Sequence, residues 1–169
     1  LDPLLFGDDR GFFLETYQKR KFAEAGIPAT FVQDNHSGSQ QGILRGLHYQ
    51  TRQIQGKLVR AVVGEIFDVA VDLRRRSPTF GQWVGVHLSA HNKRQLWIPE
   101  GFAHGFYVLS EWVEVFYKAT DFYAPDWDRT LRWDDPTIGI DWPLLNGRAP
   151  TLSTKDVQSM LWEEIDKFE

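Results

Sequence analysis

The sequence contains no cysteine and a single methionine among its 169 residues. Without thiols, disulfides, zinc ribbons, iron–sulfur clusters and cysteine nucleophiles are excluded, and the composition suits a reducing compartment. No apolar run approaches the roughly 20 residues that a membrane span requires. Neither sign of charge dominates. The 19 Lys and Arg against 23 Asp and Glu give a formal charge of −4 and a pI near 5.7, so no global field exists to hold nucleic acid or an acidic membrane. Walker loop, glycine-rich dinucleotide fingerprint, nucleophile elbow and zincin histidine pair are all missing. ATP, NAD and serine-hydrolase chemistry therefore have no support, and catalysis falls to His, Tyr, Lys, Ser and carboxylates.

What is present is the composition of a packed protein, 42% hydrophobic and 25% charged. At 19.6 kDa, with no repeat, low-complexity stretch or dividing linker, residues 1–169 are expected to form a single domain. Leu1-Asp2-Pro3 has neither a basic nor an apolar leader character, so no secretory signal is expected and the default location is cytoplasmic.

Hydrophobic periodicity points to strands. Phe67, Val69, Val71 and Leu73 alternate with Asp68, Ala70 and Asp72, the period of a strand with two different faces. Similar short signals recur at 57–63, 83–88, 95–98, 105–109 and 113–120, each bounded by Gly, Pro, Ser or Asn. Helix is expected only near the ends. One helix is predicted over Glu15–Ala25; another follows Ser153, with Val157, Met160, Leu161, Ile165 and Phe168 on one face and Asp156 in its first turn. The fold class is mainly β, a cupin-like or jelly-roll barrel with short flanking helices near the N- and C-termini. Such barrels keep a cavity at one end, and polar residues lining it would form the site.

The candidate lining comes from Arg45, His48 and Lys57, all on strand pattern and all costly to desolvate unless a ligand or partner uses them. The plain alternative for His48 is a core histidine bonded to backbone. His104, after the Pro99-Glu100-Gly101 turn, shifts the balance toward a site. Two histidines alone are a poor metal set. Position 50, where metal cupins commonly carry another His, is Gln, so no metal is expected. His87 and His91 read as surface residues, Arg74-Arg75-Arg76 as a solvated turn or an oligomer contact, and Trp97, Trp112 and Trp133 as barrel core. Tyr117 shares a strand face with Val113 and Val115 and should point inward. Facing His48 across a cavity, its hydroxyl would complete a base and an acid on opposite sides of a ligand, as epimerisation needs.

Taken in order, several blocks resemble the dTDP-4-dehydrorhamnose 3,5-epimerases, cupin-fold enzymes of the L-rhamnose pathway. They include Phe6-Gly7-Asp8-Asp9-Arg10-Gly11-Phe12-Phe13, the stretch from Gln33 to Gln50 with Arg45-Gly46-Leu47-His48-Tyr49-Gln50, and Gly56-Lys57-Leu58-Val59. They continue through Gly101-Phe102-Ala103-His104-Gly105-Phe106, Tyr117-Lys118-Ala119-Thr120 and Leu152-Ser153-Thr154-Lys155-Asp156. The resemblance covers nearly the whole chain. It implies that His48 is the general base, oriented and charged by Asp156, and that Tyr117 is the general acid on the opposite face. The implied substrate is dTDP-4-dehydro-6-deoxy-glucose, whose C4 ketone makes the C3 and C5 hydrogens removable. Lys57, helped by His104, would stabilise the enolate, with no cofactor.

The same resemblance assigns substrate binding to Arg10, Phe13, Glu15, Gln33, Asn35, Arg45, His104, Tyr123, Asp128 and Lys155. It also implies a homodimer in which the N-terminal segment crosses to the neighbouring subunit, so that Arg10 and Glu15 complete the partner's site. Asp128 stands where the family usually has Glu. A mono-epimerase acting at C3 or C5 alone, a non-catalytic sugar-binding barrel, and a metal-dependent cupin oxygenase or isomerase are the competing readings.

Overall fold

Eleven strands, two short α-helices and two single-turn 3-10 helices (Pro125–Trp127 and Leu145–Gly147) are present in the computed structural model, which describes all residues 1–169. The strands are β1 (Leu5–Asp8), β2 (Gly11–Leu14), β3 (Gln33–Gln40), β4 (Leu44–Gln50), β5 (Lys57–Val63), β6 (Glu65–Asp72), β7 (Trp83–Ser89), β8 (Leu96–Ile98), β9 (Phe102–Val108), β10 (Trp112–Ala119) and β11 (Asp128–Thr130). The α-helices are α1 (Lys19–Glu24) and α2 (Thr154–Val157). β1 and β2 form a separate hairpin; the rest build a four-stranded sheet, β3-β10-β5-β8, and a five-stranded sheet, β11-β4-β9-β6-β7, antiparallel throughout. The result is mainly β and jelly-roll-like, but the sheets do not close into one barrel. Both β8 and β11, at sheet edges, have only three residues, and no strand of one sheet registers with a strand of the other.

The alternation in β6 has two buried destinations rather than one buried and one wet. Ile66 and Ala70 join Val59, Ala61, Ile98, Phe106, Val113 and Val115 between the sheets. Phe67, Val69, Val71 and Leu73 turn to the other side, where Ile138, Trp142 and Ile165 of the C-terminal segment cover the five-stranded sheet. Asp68 and Asp72 are both fully buried as a consequence. Asp72 receives Arg74, Ser77 and Thr79, so Arg74 is pinned rather than solvated, while Arg75 and Arg76 are exposed.

The helical expectations are corrected by backbone partners elsewhere in the chain. Glu15 to Tyr17 stay outside α1, whose cap is Gln18. After Ser153 only four residues are helical. Beyond them Met160 exchanges backbone hydrogen bonds with Thr130 and Arg132 at 2.9 and 2.8 Å, and Phe168 with Leu73 and Arg75 at 3.0 and 2.7 Å. These β-type bonds replace the i→i−4 bonds that continued helix would need. Val157, expected on the apolar face, is 67% exposed.

The tryptophans separate in a similar way. Trp133 packs on the outer core, not between the sheets. Trp97 is half-buried and packs edge-on to Phe31, with ring centroids 5.9 Å apart. Trp112 is 46% exposed, its ring covering Gly38 so closely that a Cβ there would lie 2.4 Å away. Trp112 takes the outward position beside inward Val113, where period-2 geometry leaves it no core to enter.

Candidate active site

Inward residues of both sheets supply the candidate site. In an unbroken strand Arg45 and His48 would face opposite ways. Here Arg45 opposes Phe106 and His48 opposes His104, three steps on β4 against two on β9, so a bulge turns both side chains inward. Glycine permits the crossing. A Cβ on Gly46, whose φ is +124°, would lie 2.5 Å from Gly105 Cα, and one on Gly105 2.6 Å from the Arg45 carbonyl oxygen.

His48 donates through Nε2 to Asp156 Oδ1 at 2.6 Å, and Nδ1 has no protein hydrogen bond. Asp156 is buried, and its Oδ2 accepts from Ser153 Oγ at 2.7 Å. The same hydroxyl caps α2 by accepting from the Asp156 N–H, so the helix cap and the carboxylate are fixed together. Burial pushes the Asp156 carboxyl up, but its hydrogen bonds to His48 and Ser153 outweigh this and hold it below the usual value. Burial lowers the His48 pKa from 6.5; the Asp156 bond opposes that shift, and the charge of Lys155 reinforces it. The outcome is a neutral imidazole at pH 7.

A second histidine–carboxylate pair lies beside the first. His104 Nε2 is 2.8 Å from Asp68 Oδ1, and both residues are buried. From the opposite sheet come Lys57 and Tyr117. Lys57 is almost wholly buried and makes one long bond, 3.5 Å, to the His48 carbonyl. Burial lowers its pKa to about 8, with Asp128 and Asp68 pulling the other way. Tyr117 is half-buried, and burial raises its pKa. Arg45 sits close enough to act on that phenol electrostatically; its own partners are Ser39 Oγ and the Gly38 carbonyl, so its charge is not neutralised.

At the cleft mouth Asp128 Oδ2 accepts from Tyr123 OH at 2.9 Å and pairs with Lys155, so the shorter Asp still reaches both neighbours. Gln33 bonds Asn35 on the inward face of β3. No three His, Asp or Glu side chains converge as a metal-ligating group.

A base without a protein partner on its open nitrogen, with a half-buried phenol and a buried cation on the other sheet, is what proton removal and return beside a carbonyl require. The family model for dTDP-4-dehydrorhamnose 3,5-epimerase matches residues 1–164. The chain belongs to the dTDP-4-dehydrorhamnose 3,5-epimerase family. Like its relatives it is an isomerase acting on a sugar. It is 64% identical over 168 residues to the dTDP-4-dehydrorhamnose 3,5-epimerase of Pseudomonas aeruginosa, covering 99% of this chain and 92% of that protein. The Salmonella typhimurium 3,5-epimerase is 58% identical, with 97% and 90% covered. Among solved structures, the Legionella pneumophila dTDP-6-deoxy-D-glucose-3,5-epimerase in complex with dTDP-4-keto-L-rhamnose superposes with a TM-score of 0.93 at 56% identity, covering 98% of this chain and 87% of that one. A 3'-monoepimerase from Streptomyces bikiniensis in complex with dTDP-quinovose gives 0.87 at 30% identity, with 95% and 81% covered.

Of the residues expected at this epimerase site, hydrogen bonds, strand register and neighbouring charge link His48, Asp156, Lys57, His104, Tyr117, Arg45, Gln33, Asn35, Tyr123, Asp128 and Lys155 into one group. Arg10, Phe13 and Glu15 stand apart. Arg10 is held by Asp8, Glu15 bonds Lys21 at 2.7 Å, Phe13 is 70% exposed, and Phe12 and Leu14 of the same hairpin approach Arg60 and Val62 on the outer side of β5. The sequence pattern gives no role to Asp68, and to Ser153 only that of a helix cap, not its bond to the Asp156 carboxylate. The Asp68 alternation placed it on the same face as Ala70, which was the available signal.

Proposed function

We propose that this chain inverts C3 and C5 of dTDP-4-dehydro-6-deoxy-α-D-glucose by acid–base chemistry, giving dTDP-4-dehydro-β-L-rhamnose. His48 removes the proton through Nδ1, and Asp156 holds the imidazole and supports its positive charge. Lys57 and His104 stabilise the enolate oxygen at C4, and Tyr117 returns a proton to the opposite face. Arg45 and Lys155 bind the diphosphate, and Gln33, Asn35, Tyr123 and Asp128 hold the remainder of the nucleotide sugar. The His48–Asp156 pair on one sheet with half-buried Tyr117 on the inner face of the other is the observation that carries this reading.

Proton NMR of the substrate in D2O tests it. Deuterium is expected at both C3 and C5; incorporation at one carbon alone would make the enzyme a mono-epimerase, and none at either would remove the catalytic reading.

The lowered pKa values of His48 and Lys57 predict a bell-shaped pH dependence of kcat/KM. His48 must be neutral to accept a proton, so activity rises with pH through a value below 6.5. Lys57 must be charged, so activity falls again near pH 8. Lys57→Arg, whose guanidinium stays protonated, is expected to abolish the alkaline limb. A limb that persists unmoved in that variant belongs to another group.

The exposed hairpin suits a subunit that dimerises by lending β1–β2 to its partner, so that Arg10, Phe13 and Glu15 enter the neighbouring site. Arg10→Ala and His48→Asn chains, each inactive alone, should then recover about a quarter of wild-type activity after subunit exchange, because half the dimers are mixed and each has one intact site. No recovery in verified mixed dimers would mean that each chain builds its own site.

A further inference from the structure

Gln50 lies two residues beyond His48 on β4, inward-facing and only 4% exposed. Its amide hydrogen bonds all go to loops at the cleft mouth. Nε2 donates to the Gln53 and Phe122 carbonyls at 2.7 and 3.2 Å, and Oε1 accepts from the Ala124 N–H at 2.8 Å. Between those two contacts the Tyr123 N–H donates to Gln33 Oε1, on the facing sheet, at 2.9 Å. Gln55 Nε2 secures the preceding Asp121 carbonyl at 2.8 Å. The backbone from 121 to 124 is thus clipped by amides from both sheets, and the Tyr123 ring is carried at their midpoint.

A loop with 55%-exposed Tyr123 at its tip has little apolar burial of its own to fix it. Its placement depends on polar groups, and Gln50 supplies both a carbonyl partner and an N–H partner. Removing that amide would leave the buried Ala124 N–H and the Phe122 carbonyl unpaired unless the loop moves to reach water. A movement of that kind displaces Tyr123 relative to Asp128 while the His48–Asp156 pair, whose carboxylate is held by Ser153 at the cap of α2, keeps its own contacts.

We propose that Gln50 is a positioning residue that sets the Tyr123 wall of the cleft and thereby controls binding of the nucleotide sugar rather than the proton transfers. This rests on the reading of Tyr123 as a substrate-binding residue. The test is a double-mutant cycle of Gln50→Leu and Tyr123→Ala, read as KM and kcat for the dTDP-sugar together with the calorimetric affinity for dTDP. Gln50→Leu is expected to raise KM about tenfold with kcat within about twofold, the signature of lost ground-state binding. In the double variant KM should be no worse than in Tyr123→Ala alone, because two residues acting through one contact are not additive.

Full additivity, an unchanged KM, or a kcat loss as large as the KM rise in Gln50→Leu would overturn the proposal. A Tyr123→Ala variant with normal KM and dTDP affinity would instead remove the reading beneath it, and the proposal with it. Gln50→Glu keeps the acceptor for Ala124, loses the donors to Gln53 and Phe122, and sets a carboxylate against both carbonyls. It should also raise KM with kcat within about twofold, and it carries the same cycle should the leucine variant not fold.

Discussion

Replacing His48 by asparagine is expected to lower kcat by about 10²–10⁴-fold, the usual contribution of a positioned base, and to stop deuterium entering C3 and C5 together. Asparagine keeps a donor for Asp156 but has no lone pair basic enough to take a carbon-bound proton. The geometry makes the loss specific. His48 is oriented through Nε2 at 2.6 Å from a carboxylate that Ser153 fixes in turn, so the nitrogen left for substrate is Nδ1. Burial and the nearby Lys155 keep the ring neutral near pH 7, ready to accept. Mono-exchange surviving at one carbon in this variant would require a second base, and the nearest candidate is His104 with its own carboxylate, Asp68. Near-wild-type turnover in a folded variant would remove His48 from the mechanism.

Tyr117→Phe is expected to lower inversion by a comparable 10²–10⁴-fold, yet to leave much of the exchange intact. The phenol is raised above its ordinary pKa by burial, so it is protonated across the assay range and acts as a donor. Phenylalanine preserves the packing against the inter-sheet core and removes only the O–H. His48 still abstracts, Lys57 still meets the enolate, and a solvent deuteron returned by His48 re-enters from the face that lost the proton. Exchange with retention then outpaces exchange with inversion, and NMR distinguishes the two. A parallel fall of both rates would mean that Tyr117 stabilises the enolate rather than delivering the second proton.

Much of this was legible from residue order. The period-2 patterns located the main strands because burial on alternate faces leaves a direct trace in composition. Tyr117 was placed inward by its phase with Val113 and Val115, and Lys57 by its position at the head of an apolar strand. Arg45 and His48 are expected in the lining from residue type; strand phase would set them on opposite faces, and it is a one-residue bulge that turns both inward. Periodicity failed after Ser153, where an apolar spacing that suits a helix was satisfied instead by β-type bonds to Thr130, Arg132, Leu73 and Arg75. The Trp112 assignment failed because an aromatic at a strand start can cover a glycine from outside as well as fill a core.

The sequence by itself determined the kind of chemistry: a thiol-free chain with an inward tyrosine and isolated histidine, lysine and arginine on strands, in a block order that resembles one epimerase family. The tertiary structure decided which of those groups meet. Asp156 reaches His48 from 108 residues away, Asp68 reaches His104 across 36, and Lys57 approaches the His48 carbonyl from the opposite sheet. Such pairings leave no periodic trace, because they depend on which sheet edge a segment crosses and on where a bulge reverses a strand. The shifted His48 and Lys57 titrations follow from the same cause, since burial and neighbouring charge belong to the assembled cleft.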